Sequence, residues 1–292
     1  MTAPATWFEM PSPFGCDGER VLMLEPPSAS AAELRARLLD ETYARPYVID
    51  DGEWRYLHFD RRLVQSAMRL DAPDRLDVRY TQKMMSFLLF LPRPRHIVLI
   101  GLGGGSLVKF CRTRLPAAQL VVVENSADVI ALRGAFRVPP DGPNLRVLEA
   151  DGAAYLAEAG KGIDVLLVDA FDKSGFAASL AGQDFFEQAR TKLAGNGVLV
   201  VNLAGEAQRY AGVIATAMQV FDDQVIVVPV PEDDNHVLLA FKNAAFEPNW
   251  RRLRNLAKEL RAKYGLDFPG FVDKIERSAR HGLARREAGR RE

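Results

Sequence analysis

Residues 96–106 read HIVLIGLGGGS: an apolar run from His96 to Ile100, then a cluster of glycines, Gly101, Gly103, Gly104 and Gly105, closed by Ser106. A short continuous apolar run that ends in glycine fits a strand buried on both faces of a parallel sheet. A turn free of side chains lets backbone N–H groups and the start of a helix approach a ligand. The next apolar run, LVVVE, ends on Glu124, and an acid at the tip of a neighbouring strand can accept from ribose hydroxyls. Together the two runs point to a nucleoside-containing ligand. The glycines alone say less, because Ser106 replaces the third glycine of a strict dinucleotide fingerprint, and a tight strand-to-helix turn needs no ligand.

Downstream, the alternation is regular. Helices are expected at 106–114, about 126–136, 152–159, 183–193 and 206–220, between strands at 120–124, 145–149, 164–168 and 198–202. This is the pattern of a parallel sheet with helices on both faces. Val225 to Val230 and His236 to Phe241 end it: the polar segment PEDDN between them is too short for a crossover helix, so they must pair as an antiparallel hairpin. The expected fold class is α/β, a doubly wound, mostly parallel seven-stranded sheet closed by an antiparallel hairpin. That is the arrangement of class I S-adenosylmethionine-dependent transferases and is unusual in dinucleotide dehydrogenases. Upstream, Tyr47 to Asp50 and Glu53 to Phe59 flank Asp51-Gly52, a hairpin signal that predicts a small N-terminal β unit. Leu76 to Leu91 carries a helical apolar pattern closed by Pro92 and Pro94. The expected division is an N-terminal region with the hairpin (1–75), a nucleoside-binding catalytic domain (76–246) and a charged helical extension (247–292).

Composition excludes some partners. The chain has 292 residues, with 38 Lys plus Arg against 38 Asp plus Glu, so no global field favours nucleic acid or a membrane surface. The basic excess after Arg251, ending in ARREAGRRE, reads first as a solvated helical face and second as an anion-binding patch. Cys16 and Cys111 lack metal-ligand spacing and fit a reducing compartment without zinc. The start, MTAPATWFEM, has no charged segment leading into an apolar core, and no apolar run is long enough to span a bilayer, so a cytoplasmic location is expected.

Further candidates lie at the other strand ends. Asp151-Gly152 follows the third strand, and Asp151 is placed to accept from an adenine amino group; for Glu124 and Asp151 alike, a helix N-cap or a solvated strand end is the plainer alternative. The fourth strand, DVLLVD, delivers Asp169 to the carboxyl edge of the sheet, where ligands of open α/β sheets bind, and Asp172 follows in the loop. Carboxylates there can hold a cationic amine and take its proton. Asp172 reads equally as a loop residue, whereas an acid ending an apolar central strand is costly unless a site uses it.

From Tyr47 to Phe241 the chain resembles the spermidine synthase family of aminopropyltransferases. The matching positions are Gln65 in LVQSA, Tyr80 in YTQKM, GLGGGS, Glu124, Asp151-Gly152, DVLLVDAFDKSG, Leu180 and Asp184-Phe185-Phe186. The resemblance implies that Asp169 is the general base and that Asp172 and Tyr80 orient the acceptor amine. Gln65, Gly101, Gly103, Gly104, Gly105, Glu124, Asp151 and Gly152 would hold the nucleoside. It also implies decarboxylated S-adenosylmethionine as cosubstrate, a small amine such as a polyamine as acceptor, no metal, and a homodimer. Three positions depart from the family. The usual acid of the glycine loop is Gly104, Tyr-His-Glu is Tyr80-Thr81-Gln82, and the Pro after the second Asp is Lys173. These leave open methyl transfer from S-adenosylmethionine itself and a non-catalytic nucleoside-binding relative. A nicotinamide-dependent oxidoreductase is disfavoured by the closing hairpin.

Overall fold

The computed structural model describes residues 7–15, 18–62, 64–172, 175–205 and 207–289; Cys16 and Lys173 lie outside these, as do the side chains of Asp172, Gly175, Ala207 and 281–289. The expected N-terminal hairpin is the centre of a larger antiparallel sheet of β1 (Phe8–Pro11), β2 (Arg20–Met23), β3 (Tyr47–Asp50), β4 (Trp54–His58) and β5 (Val64–Arg69), in that spatial order. The β3–β4 turn forms as its sequence dictates: Gly52 has φ +87°, and Asp51 Oδ1 accepts from the N–H groups of Glu53 and Trp54. Helix α1 (Ala31–Leu39), capped by Ser30 Oγ, joins β2 to β3. Alternation along β2 and the residue after it serves two cores: Val21 and Met23 pack with Leu34 and Leu38 of α1, while Leu22 and Leu24 join Val48, Leu57 and Met68 in the main core. The apolar face of this unit is therefore covered by the main domain of the same chain.

The main sheet contains β6 (His96–Ile100), β7 (Gln119–Glu124), β8 (Leu145–Glu149), β9 (Ile163–Val168), β12 (Leu193–Ala204), β13 (Val225–Val230) and β14 (Asn235–Phe241). Their order is β13-β14-β12-β9-β6-β7-β8, parallel from β12 to β8, with β14 antiparallel to both β12 and β13. A two-stranded ribbon, β10 (Phe171–Asp172) with β11 (Gly175–Phe176), follows β9. The helices are α2 (Arg79–Met84), α3 (Ser106–Arg114), α4 (Ala127–Ala131), α5 (Gly152–Glu158), α6 (Gln183–Lys192), α7 (Ala211–Val220), α8 (Trp250–Tyr264) and α9 (Phe268–Gly289). Both faces of the sheet are buried: Leu99, Leu167 and Val200 belong to one core, Ile100, Val168 and Val201 to the other. This is why the parallel strands read as continuous apolar runs.

Two expectations need correction. The run from Leu76 to Leu91 is not one helix: α2 begins at Arg79, and Met85 to Leu89 tighten into a 3-10 turn. All five residues of that turn are buried, so no solvent face sustains an amphipathic helix. The C-terminal extension is not only a solvated face. Leu253, Ala257, Leu260 and Tyr264 of α8, with Phe268, Phe271, Val272 and Ile275 of α9, are buried against the main core, and α9 packs along β13. Its basic residues are partly paired, with Arg254 and Arg280 both on Glu276. No helix among the described residues is long and apolar enough to cross a membrane.

Candidate active site

A cavity of about 570 Å³ opens at the carboxyl ends of β6, β7 and β9, roofed by β5 of the N-terminal sheet. The glycine loop forms its floor. Gly101 has φ +96°, and a Cβ there would stand 2.1 Å from the Asp169 carbonyl oxygen, so only glycine lets β6 and β9 deliver their loops this close together. Gly101, Gly103 and Gly152 line the cavity, but Gly104 and Gly105 do not. Gly105 is the N-cap of α3 with φ +66°, and a Cβ there would meet Val138 at 2.2 Å; a Cβ on Gly104 would meet Ser66 Oγ at 2.6 Å and Phe136 at 3.0 Å. The position where the family usually carries an acid is thus filled by Ser66, reaching over from β5.

Glu124 lines the cavity at the tip of β7 and is held from two sides. Its Oε2 accepts from Leu102 N at 2.8 Å and its Oε1 from Ser126 N at 2.9 Å. Asp151 is both a cavity residue and the N-cap of α5, accepting from Ala154 N at 2.9 Å and from Ser179 Oγ at 3.0 Å. Each carboxylate retains lone pairs beyond these bonds, so a nucleoside can still be bound. Gln65 lines the roof beside Ser66.

Asp169 lies opposite, at the end of β9. Tyr80 Oη donates to its Oδ2 at 3.2 Å and Asn202 Nδ2 donates to its Oδ1 at 2.9 Å. Withdrawal from water raises the Asp169 pKa above the usual aspartate value, and the bonds from Asn202 and Tyr80 oppose the rise. The Tyr80 phenol is pushed well above its ordinary pKa, first by burial and then by the neighbouring Asp169, so it remains a protonated donor. Asp172 lies in β10 at the same sheet edge, but its side chain lies outside the described residues. Sequence reasoning missed Asn202, Ser66, Ser179 and Asp128, the last of which lines the cavity and pairs with Arg45 at 2.7 Å. Only Asn202 left a signal, as a polar residue inside the apolar run VLVVNLA.

The charged residues lining the cavity are Glu124, Asp128, Asp151 and Asp169; among the described residues no Lys or Arg lines it. No group of acids, histidines and cysteines suited to a metal occurs among the described residues. A cleft lined by acids at the carboxyl edge of a sheet ordered β13-β14-β12-β9-β6-β7-β8 is that of a class I transferase acting on S-adenosyl nucleosides. The chain is 36% identical over 245 residues to the polyamine aminopropyltransferase of Chromobacterium violaceum, covering 84% of this chain and 94% of that one. It is also 36% identical over 223 residues to the polyamine aminopropyltransferase of Neisseria meningitidis serogroup A, covering 76% and 85%. It belongs to the polyamine aminopropyltransferase family. In fold it is similar to a probable spermidine synthase from Corynebacterium glutamicum, with a TM-score of 0.62 at 18% identity, over 79% of this chain and 91% of that one. No family model matches the chain. The expected fold class and the assignment to the transferases are borne out.

Proposed function

We propose that the protein moves the aminopropyl group of decarboxylated S-adenosylmethionine to a small amine such as a polyamine. The observation that carries this reading is the charge of the cavity: four carboxylates line it, of which Asp128 is paired with Arg45, and no lysine or arginine among the described residues lines it. Intact S-adenosylmethionine brings a carboxylate that finds no side-chain cation there, whereas the decarboxylated donor and a polyamine are both purely cationic in their tails.

Glu124 would accept from the ribose hydroxyls and Asp151 from the adenine amino group, with Gln65 above and Gly101, Gly103 and Gly152 allowing close backbone approach. Asp169 takes a proton from the acceptor ammonium, and Tyr80 and Asp172 orient the amine. The freed nitrogen lone pair attacks the carbon next to the sulfonium, the carbon–sulfur bond breaks with its electrons going to sulfur, and methylthioadenosine leaves. Catalysis is then alignment and deprotonation. No step draws on a metal. We further propose a homodimer working in the cytoplasm and the three-part division at residues 75 and 246; light scattering that reports a monomer at micromolar concentration would count against the dimer.

One observation favours methyl transfer as a second reading. Ser66 occupies the place beside Gly104 where a family acid would otherwise select for the ammonium of the decarboxylated donor. Incubation with each donor and an amine panel, followed by product masses, decides between them. A mass gain of one aminopropyl unit supports the first reading, and a methylated product, or no transfer at all, refutes it.

A further inference from the structure

Asp169 depends for its orientation on groups that its own strand does not hold. Of its two donors, Tyr80 comes from α2 and Asn202 from β12. Each donor is in turn tied to the hairpin that closes the sheet. Tyr80 sits in the first turn of α2, where the N-cap Val78 provides no side-chain acceptor; Asp233 Oδ2 fills that role by accepting from Tyr80 N at 2.6 Å. Asn202 Oδ1 accepts from Asn235 Nδ2 at 2.8 Å, and both amides are buried, at 1% and 6% exposure. Asp233 lies in the β13–β14 turn and Asn235 is the first residue of β14.

The direction of these bonds has a chemical consequence. An ionised carboxylate only accepts, so Asn202 must offer its nitrogen to Asp169. A freely turning amide would offer its oxygen to a protonated Asp169 equally well. Asn235 donates to that oxygen, and this bond favours the sense in which the Asn202 nitrogen faces Asp169. In a site whose withdrawal from water favours the neutral acid, a donor held in this sense counteracts protonation.

Building on the aminopropyl-transfer reading, we infer that the β13–β14 hairpin is the positioning device of the base: Asn235 locks Asn202, Asp233 caps the helix of Tyr80, and together they keep Asp169 ionised and aimed into the cavity. Asn202, Asp233 and Asn235 are positioning residues, since none of them lines the cavity. The titratable groups that share the cavity with Asp169 are Tyr80 of α2, Glu124 of β7, Asp128 of α4 and Asp151 before α5, while Asp233 acts on it through Tyr80.

The test is a titration of the Asp169 carboxyl by ¹³C NMR of protein labelled at aspartate, with the signal assigned by its loss in Asp169→Asn. Asn202→Leu is expected to raise the midpoint by about one pH unit or more, and Asn235→Ala by a smaller amount in the same direction. Asp233→Ala is expected to speed hydrogen exchange at the Tyr80 amide by about tenfold or more. An unchanged Asp169 midpoint in Asn202→Leu overturns the relay; if that variant does not fold, an unchanged midpoint in Asn235→Ala does so. These readouts need no turnover. A wild-type protein that transfers no aminopropyl group therefore refutes the reading of the reaction, whereas the midpoints judge the relay independently. In an active enzyme the acid limb of the kcat/KM profile moves up with the midpoint.

Discussion

Glu124 is the residue whose replacement separates nucleoside recognition from loop architecture. Both of its oxygens already accept a backbone N–H, from Leu102 of the glycine loop and from Ser126 at the start of α4. If it also accepts from a ribose diol, Glu124→Ala removes charge-assisted bonds to the ligand, at a cost of about 1–3 kcal/mol, or roughly 5- to 150-fold in Kd. The more instructive variant is Glu124→Gln. An amide in the same place must turn its NH₂ toward one of the two backbone donors, so one N–H loses its acceptor and faces another donor. The loop amide of Leu102 or the cap of α4 must then shift. Glu124→Gln is therefore expected to weaken methylthioadenosine binding about as much as alanine does, despite its similar shape. Isothermal titration calorimetry at pH 7 measures both variants. A Gln variant that binds with wild-type affinity would show that neither the carboxylate charge nor its two backbone bonds shape the nucleoside site.

Three further outcomes are expected. Asp169→Asn keeps an acceptor for Asn202 and a polar neighbour for Tyr80, so the fold and methylthioadenosine affinity should persist while turnover falls by roughly 10²-fold or more; near-native turnover in a product-mass assay would remove Asp169 as the base. Gly104→Asp drives a Cβ to 2.6 Å from Ser66 Oγ and should cost about 1–3 kcal/mol in denaturant unfolding, and Ser66→Gly in the same chain should recover most of that loss. In that double variant, binding should shift away from S-adenosylmethionine toward the decarboxylated donor; no shift would mean that Gly104 does not face the donor tail. Lys109 is buried with its Nζ on the Phe136 carbonyl, and burial lowers its pKa from 10.5 to about 7. The unfolded chain then binds more protons than the folded one across that interval, so stability should rise with pH between about 7 and 10.5, and Lys109→Met should flatten the rise in thermal melts taken across it.

What the sequence disclosed and what it hid have physical causes. β6, β7 and β9 were legible because strands covered on both faces must be apolar throughout, and the hairpin was legible because the five residues PEDDN cannot make a crossover. Asp169 stood out for the reverse reason, as a charge ending such a strand. The N-terminal sheet was seen only at its β3–β4 turn, where Asp51-Gly52 carries a local signal; β1, β2 and β5 are short, and their pairing is set by contacts distant in sequence. The same distinction separates Glu124, whose position follows from its strand, from Ser66, whose approach to Gly104 depends on how one sheet is laid over another.

Asn202 falls between these cases, and its reading shows how the two kinds of information combine. A buried amide in VLVVNLA costs stability unless it is paired, so the sequence marks it as a residue with a partner but leaves the partner unnamed. Register supplies the name. β14 runs antiparallel beside β12 with Asn202 opposite Val237 and Ala204 opposite Asn235, and β9 runs parallel on the other side, ending just before Asp169. Asn202 is thereby set between Asp169 and the closing hairpin, with one end of its amide available to each. The antiparallel strand that distinguishes this sheet from a dinucleotide-binding one also brings Asn235 to the amide that holds Asp169, so the feature that identifies the fold is physically joined to the carboxylate at its edge.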